Sequence, residues 1–258
     1  MQQPQSQAQR CLQVIFDIDG VVRDVAGSYR RALADTVEQF TEGQYRPAMA
    51  DIDALKSEGC WNNDWQASEE LVYRFYKQQG LELPTLDYDA LVDFFQGRYR
   101  GENFSGYIQE EPLLMTAAYL ETLTQADIAW GFFSGATRGS AQYVLERRIG
   151  LQAPVLVAME DAPGKPDPVG LMATVNLLET GQRRPLTVVY VGDTVADIQT
   201  AINARSQYPD IHWIGVGVLP PHAQDQPEYA AKLEEVGAIA ILKNVEALTP
   251  QMLQSLSS

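Results

Sequence analysis

The apolar run ending in Val14-Ile15-Phe16 is rich in branched and aromatic residues, the composition of a short strand buried on both faces. It breaks at Asp17-Ile18-Asp19-Gly20. The period then changes. Ala32, Leu33, Val37 and Phe40 recur at helical spacing within Tyr29–Phe40, and Gly43 and Pro47 close that segment. Asp51–Glu58, Ala67–Gln79 and Asp89–Tyr99 repeat the helical pattern without strand-like alternation between them. Residues 25–105 therefore read as a helical insert placed directly after the first strand.

Glu110–Gln125 reads as a further helix, with Pro112 in its first turn. Strands and helices then alternate. Strands are predicted over Ile128–Phe133, Val155–Met159, Thr187–Val191, Trp213–Val218 and Ala238–Leu242. Helices fall between them over Ser140–Arg148, Val169–Leu178, Ala196–Ala204 and Pro227–Val236. This order predicts an α/β fold, a doubly wound, mostly parallel sheet covered on both faces. Residues 11–24 and 106–258 form its core, residues 25–105 the insert, and the Gln-rich residues 1–10 a disordered tail.

Charge narrows the function classes. Lys+Arg 19 against Asp+Glu 34 gives a net charge of −15, which argues against nucleic acid or an anionic membrane as the main partner. A small phosphorylated ligand stays possible if the site supplies local positive charge. Cys11 and Cys60 are too few for a disulfide framework, and His212 and His222 cannot build a His-rich metal site. No apolar stretch approaches the roughly 18 residues that span a bilayer. Nor does the N-terminus carry the apolar run of a signal peptide. The expectation is a soluble, cytoplasmic protein, monomer or homodimer.

In parallel sheets ligands sit outside the carboxyl ends of strands. Asp17 and Asp19, Ser134, and Asp193 should all converge there, with Asp197 four residues further on. Four carboxylates in one crevice repel one another unless a cation meets them, and a hard divalent ion such as Mg²⁺ suits oxygen ligands. Each residue also has an ordinary reading. Asp17 and Asp19 could accept backbone N–H groups, Asp193 could sit in a turn, and Asp197 could face the positive end of a helix. Ser134-Gly135 opens a helix whose free N–H groups either cradle a phosphate or are merely capped by the serine. Lys165, between Gly164 and Pro166, is placed to project an ammonium into the crevice.

Asp17-Ile-Asp19-Gly, Ser134-Gly, Gly164-Lys165-Pro-Asp and Gly192-Asp193-Thr-Val-Ala-Asp197 together resemble the four ordered motifs of the haloacid dehalogenase-like hydrolase superfamily. The insert is similar to the type C1 cap of the subfamily that includes phosphoglycolate phosphatases and β-phosphoglucomutases. The resemblance implies that Asp17 is the nucleophile and forms an aspartyl-phosphate, and that Asp19 is the general acid and base. It implies Mg²⁺ as cofactor, held by Asp17, Asp19 and Asp193, with Asp197 at the metal or orienting waters and Lys165. Ser134, Gly135 and Lys165 would hold the phosphoryl oxygens. The second aspartate favours phosphoryl transfer over halide displacement. One departure is Arg23, where the pattern usually has a small or apolar residue, leaving it either to reach the substrate or to lie on the surface.

Within the insert, Trp61, Asn62, Asn63 and Trp65 either line the roof of the crevice as specificity residues or anchor a small helical core. Arg30, Arg74 and Arg98 are candidates for a distal anionic group. The expected activity is Mg²⁺-dependent hydrolysis of a small phosphomonoester. The alternatives are a sugar-phosphate phosphomutase or a ligand-binding homologue without catalysis.

Overall fold

A computed structural model describes residues 12–61, 63–178 and 187–257. The expected tail over residues 1–10, Cys11 and Asn62 lie outside the described residues. The chain enters through β1 (Leu12–Phe16) and passes to four helices, α1 (Tyr29–Phe40), α2 (Met49–Lys56), α3 (Asp64–Gln78) and α4 (Tyr88–Tyr99). It returns through α5 (Ala117–Gln125), β2 (Ala129–Phe133), α6 (Arg138–Gln142) and β3 (Leu156–Val157). Then follow α7 (Val169–Leu178), β4 (Thr187–Gly192), α8 (Val195–Gln207), β5 (His212–Val218), α9 (Pro227–Val236), β6 (Ala240–Leu242) and α10 (Pro250–Leu256).

The strands pair in the order β3-β2-β1-β4-β5-β6, and every pairing is parallel. Strand order reverses beside β1, so the crevice expected of a doubly wound sheet opens above β1 and β4. Burial on both faces explains the unbroken apolar runs. Val14 and Phe16 of β1 join Val189 and Val191 of β4 in one cluster, whereas Ile15 joins Val188 and Tyr190 in the other. The two-residue period of a strand thus survives although all these side chains are buried. Each enclosed apolar side chain contributes on the order of 1.5–3 kcal/mol.

The inserted helices build their own apolar contacts. Tyr29 of α1 meets Phe95 and Tyr99 of α4, with ring centroids 5.5 and 4.0 Å apart.

Two predicted helices differ in the structure. The one expected over Glu110–Gln125 begins only at Ala117, capped by Thr116. The preceding stretch is engaged elsewhere, because Asp24 N–H donates to the Pro112 carbonyl and Leu114 N–H to that of Val22. A residue before proline also disfavours helical backbone, so Pro112 marks an extended return and not a first turn. The second starts at Arg138, and its continuation over Tyr143–Arg148 is wound as a π-turn. The strand expected over Val155–Met159 pairs only at Leu156–Val157.

Candidate active site

Register brings the strand ends together. Phe16 of β1 sits opposite Phe132 of β2 and Val191 of β4, so Asp17 emerges between Phe133 and Gly192. Its N–H donates to the Val191 carbonyl at 2.8 Å, which fixes where the carboxylate leaves the sheet. Gly20 then turns the chain with φ of 76°, and a Cβ there would fall 2.1 Å from Asp193 Oδ2. Only glycine permits this approach of the turn to β4's end.

Asp193 and Asp197 follow β4 directly. Thr194 caps α8, its hydroxyl accepting from Asp197 N–H at 3.3 Å while Asp197 Oδ2 accepts from Thr194 N–H at 3.0 Å and from the Thr194 hydroxyl at 2.6 Å. Lys165 reaches in from the loop after β3. Its ammonium stands 2.8 Å from Asp17 Oδ1 and 2.5 Å from Asp197 Oδ1. The same ammonium packs near the Phe133 and Tyr190 rings, at 5.5 and 5.6 Å.

Carboxylate oxygens of Asp17, Asp193 and Asp197 all lie within 4.8 Å of one another, and all three residues are buried. Burial, with Asp197 and Asp19 nearby, raises the Asp17 carboxyl to about 7 against the pull of Lys165. Burial and its two acidic neighbours also push Asp193 well above the usual carboxylate range. Burial works against Asp197 too, but Lys165 and Thr194 outweigh it and hold its value below normal. Lys165 is raised despite its own burial, by Asp17 and Asp197. With all three carboxylates ionised the cluster would carry more negative charge than one ammonium neutralises, and the raised Asp17 and Asp193 values are the mark of that crowding. A second cation fits, and the all-oxygen donor set suits Mg²⁺. Asp17 and Asp193 would hold it, since Asp197 is already engaged by Lys165, Thr194 and Tyr190.

Asp17, Asp193 and Lys165 floor a cleft of about 980 Å³, with Asp197 buried beneath it. Asp19, Ser134, Gly135 and Lys165 line it, as do Arg30, Asn63 and Trp65 from the insert side. Ser134-Gly135 does not open a helix. The two residues sit in the turn after β2, three residues ahead of the short α6, where Ser134 Oγ accepts from Ala136 N–H at 3.1 Å and Gly135 is exposed. A phosphate there would meet the turn, without a helix terminus behind it.

Arg23 neither reaches the cleft nor lies on the surface. It is fully buried, and its guanidinium is bound to Asp19, Glu111 and Tyr99. Trp61 is likewise absent from the cleft, its indole donating to Glu58 at 2.9 Å while its ring packs on the apolar core. Asn63 lines the cleft and also caps α3 through Trp65 and Gln66 N–H. Arg30 is paired with Asp53; Arg74 is engaged by Glu58 and Glu70, and Arg98 lies over the Phe94 ring. None of these arginines is presented as a free anion receptor.

Several participants carry no motif. Tyr190 is the only polar-tipped side chain in the apolar run of β4 after Thr187, and its hydroxyl donates to Asp197 Oδ1 at 3.0 Å. That lone hydroxyl was the available signal. Cys60 and His222 also line the cleft wall, outside the acidic cluster.

The model of a hydrolase family, the haloacid dehalogenase-like hydrolases, matches residues 13–205. A curated relative, imidazoleglycerol-phosphate dehydratase from Phytophthora nicotianae, is 30% identical over 243 residues. That alignment covers 89% of this chain and 49% of the relative, so the chain spans about half the relative's length. Among solved structures, a phosphonoacetaldehyde hydrolase-like protein from Oleispira antarctica superposes with a TM-score of 0.70 at 18% identity, covering 100% of this chain and 96% of its own. A phosphatase from Thermococcus thioreducens gives 0.60 at 23% identity, covering 86% and 99%. At such identities the likeness is one of fold. With the family model spanning three quarters of its length, the chain belongs to the haloacid dehalogenase-like hydrolases.

Proposed function

We propose that the chain is a Mg²⁺-dependent phosphatase that hydrolyses a small phosphomonoester through a phosphoryl group carried on Asp17. The observation behind it is the acidic cluster at the end of β1 and β4, with Lys165 shared between Asp17 and Asp197 on the floor of a cleft. The name of the curated relative contains a phosphorylated compound, which agrees with such a substrate. Its dehydratase activity is not carried over to this chain.

Bound Mg²⁺ would neutralise the phosphoryl oxygens so that an anionic nucleophile can approach. In the first transfer a carboxylate oxygen of Asp17 bonds to phosphorus, the bond from phosphorus to the substrate oxygen breaks, and Asp19 protonates the departing alkoxide. In the second, Asp19 takes a proton from water, the water oxygen bonds to phosphorus, and Asp17 is released with inorganic phosphate. Lys165, the Ser134 hydroxyl and the Gly135 N–H bind the equatorial oxygens where charge gathers. Asp197 holds Lys165 in place. Residues 25–105 act as a cap whose Trp65 and Asn63 face the substrate and whose closure excludes bulk water.

Turnover of p-nitrophenyl phosphate with and without Mg²⁺ tests this reading. Wild-type protein should release nitrophenolate only with the ion, and Asp17→Asn should abolish release while keeping the fold. Undiminished activity in that variant would overturn the assignment.

A further inference from the structure

The mechanism above has no use for Arg23, yet the structure invests heavily in it. Its side chain is wholly enclosed. Nε donates to Asp19 Oδ1 at 2.6 Å, and Nη2 stands 2.5 Å from the same oxygen as an ion-pair contact without a hydrogen bond of its own. Nη1 donates to Glu111 Oε2 at 2.8 Å and to the Tyr99 hydroxyl at 2.6 Å. The other oxygen of Glu111 accepts from the Ser28 hydroxyl. The Tyr29 and Tyr99 rings flank the guanidinium at 5.6 and 5.7 Å.

The places these partners come from matter more than their number. Ser28 stands at the N-terminus of α1, where the chain enters the insert, and Tyr99 is the last residue of α4. Glu111 belongs to the returning connection. The Arg23 backbone bridges to Leu113 on that same return, and to Asp19 on its other side. Both connections between insert and sheet therefore meet at the residue that grips Asp19. A purely structural cation could be satisfied by Glu111 and Tyr99 alone; it would not need to fix the carboxylate that faces the cleft.

We propose that Arg23 is a positioning residue: it orients Asp19 for proton transfer, and Tyr99 and Glu111 make that orientation depend on where the inserted helices sit. Oδ1 is held by the guanidinium, and Oδ2 is the oxygen that exchanges the proton with the leaving group. This inference rests on the phosphatase reading, in which Asp19 is the acid.

An acid matters in proportion to the basicity of the departing oxygen. Phenyl phosphate and p-nitrophenyl phosphate have similar shapes, but phenolate leaves far less readily than nitrophenolate. The test compares kcat/KM for both esters at saturating Mg²⁺ in wild type, Arg23→Lys and Tyr99→Phe; this parameter stops at the first transfer, so hydrolysis of the phosphoenzyme does not enter. Arg23→Lys should lower kcat/KM for phenyl phosphate by about tenfold more than for the nitrophenyl ester. Tyr99→Phe, which keeps the ring and removes one acceptor, should shift the ratio the same way by a smaller factor. Equal losses on both esters, or none, would overturn the inference. If Arg23→Lys does not fold, an unchanged ratio in Tyr99→Phe overturns it equally. Wild-type inactivity toward both esters would overturn the phosphatase reading itself, a result distinct from a working enzyme whose selectivity does not move.

Discussion

Lys165 Nζ stands 2.5 Å from Asp197 Oδ1 and is simultaneously 2.8 Å from Asp17, so one buried ammonium is divided between two carboxylates. Removing it leaves three enclosed acidic groups facing one another. In Lys165→Met the metal-free protein should lose on the order of 3–5 kcal/mol of stability, the typical cost of breaking a buried pair. Millimolar Mg²⁺ should restore part of it. Denaturant melts with and without the ion check this, and a loss below about 1 kcal/mol would show that the cluster is not charge-strained.

Metal affinity should follow pH with a definite sign. The Asp17 carboxyl is raised to about 7 by burial, ahead of its acidic neighbours. Below that pH it holds a proton that the ion has to displace. Calorimetric Mg²⁺ titrations at pH 6 and pH 8 should therefore show about tenfold tighter binding at the higher pH. Folding responds in the opposite direction in the absence of the ion. A raised carboxyl favours the fold below its unfolded value near 4, and that contribution disappears as pH climbs through about 7.

Gly20→Ala should be far more harmful than its size suggests. The position has φ of 76°, and the new methyl carbon would lie 2.1 Å from Asp193 Oδ2. Strain of about 1–2 kcal/mol from the left-handed backbone adds to displacement of the Asp193 carboxylate. Mg²⁺ affinity should drop at least about tenfold; a variant that binds the ion normally would argue that Asp193 is not a ligand.

Tyr190→Phe isolates one hydroxyl. It deletes the donor to Asp197 Oδ1 and to the Phe133 carbonyl while leaving the ring in the core. Thermal melts should register a loss of about 1 kcal/mol. An unchanged melting temperature would mean that Lys165 and Thr194 alone suffice to hold Asp197.

Strand ends were the legible part of this chain. Asp17 and Asp193 could be placed because a period change announces each carboxyl end, and a parallel sheet sends all such ends to one edge, whereas Lys165 was legible from its Gly164-Lys165-Pro166 setting in the loop after β3. Arg23 could not. Its partners lie 76 and 88 positions away in Tyr99 and Glu111, and no local pattern reports a contact of that separation. The return segment around Pro112 was misread for a related reason: its helical spacing is genuine, but backbone pairing with Val22 and Asp24 takes precedence. Trp61 and Trp65 looked equivalent by composition, yet only Trp65, one position into α3, lines the cleft.

Asp197 closes the first turn of α8 through Thr194 with one oxygen and steadies Lys165 with the other. Capping that helix and anchoring the buried ammonium are consequently tasks of a single side chain. Loss of the carboxylate at position 197 would therefore release both at once, the helix terminus and the buried ammonium.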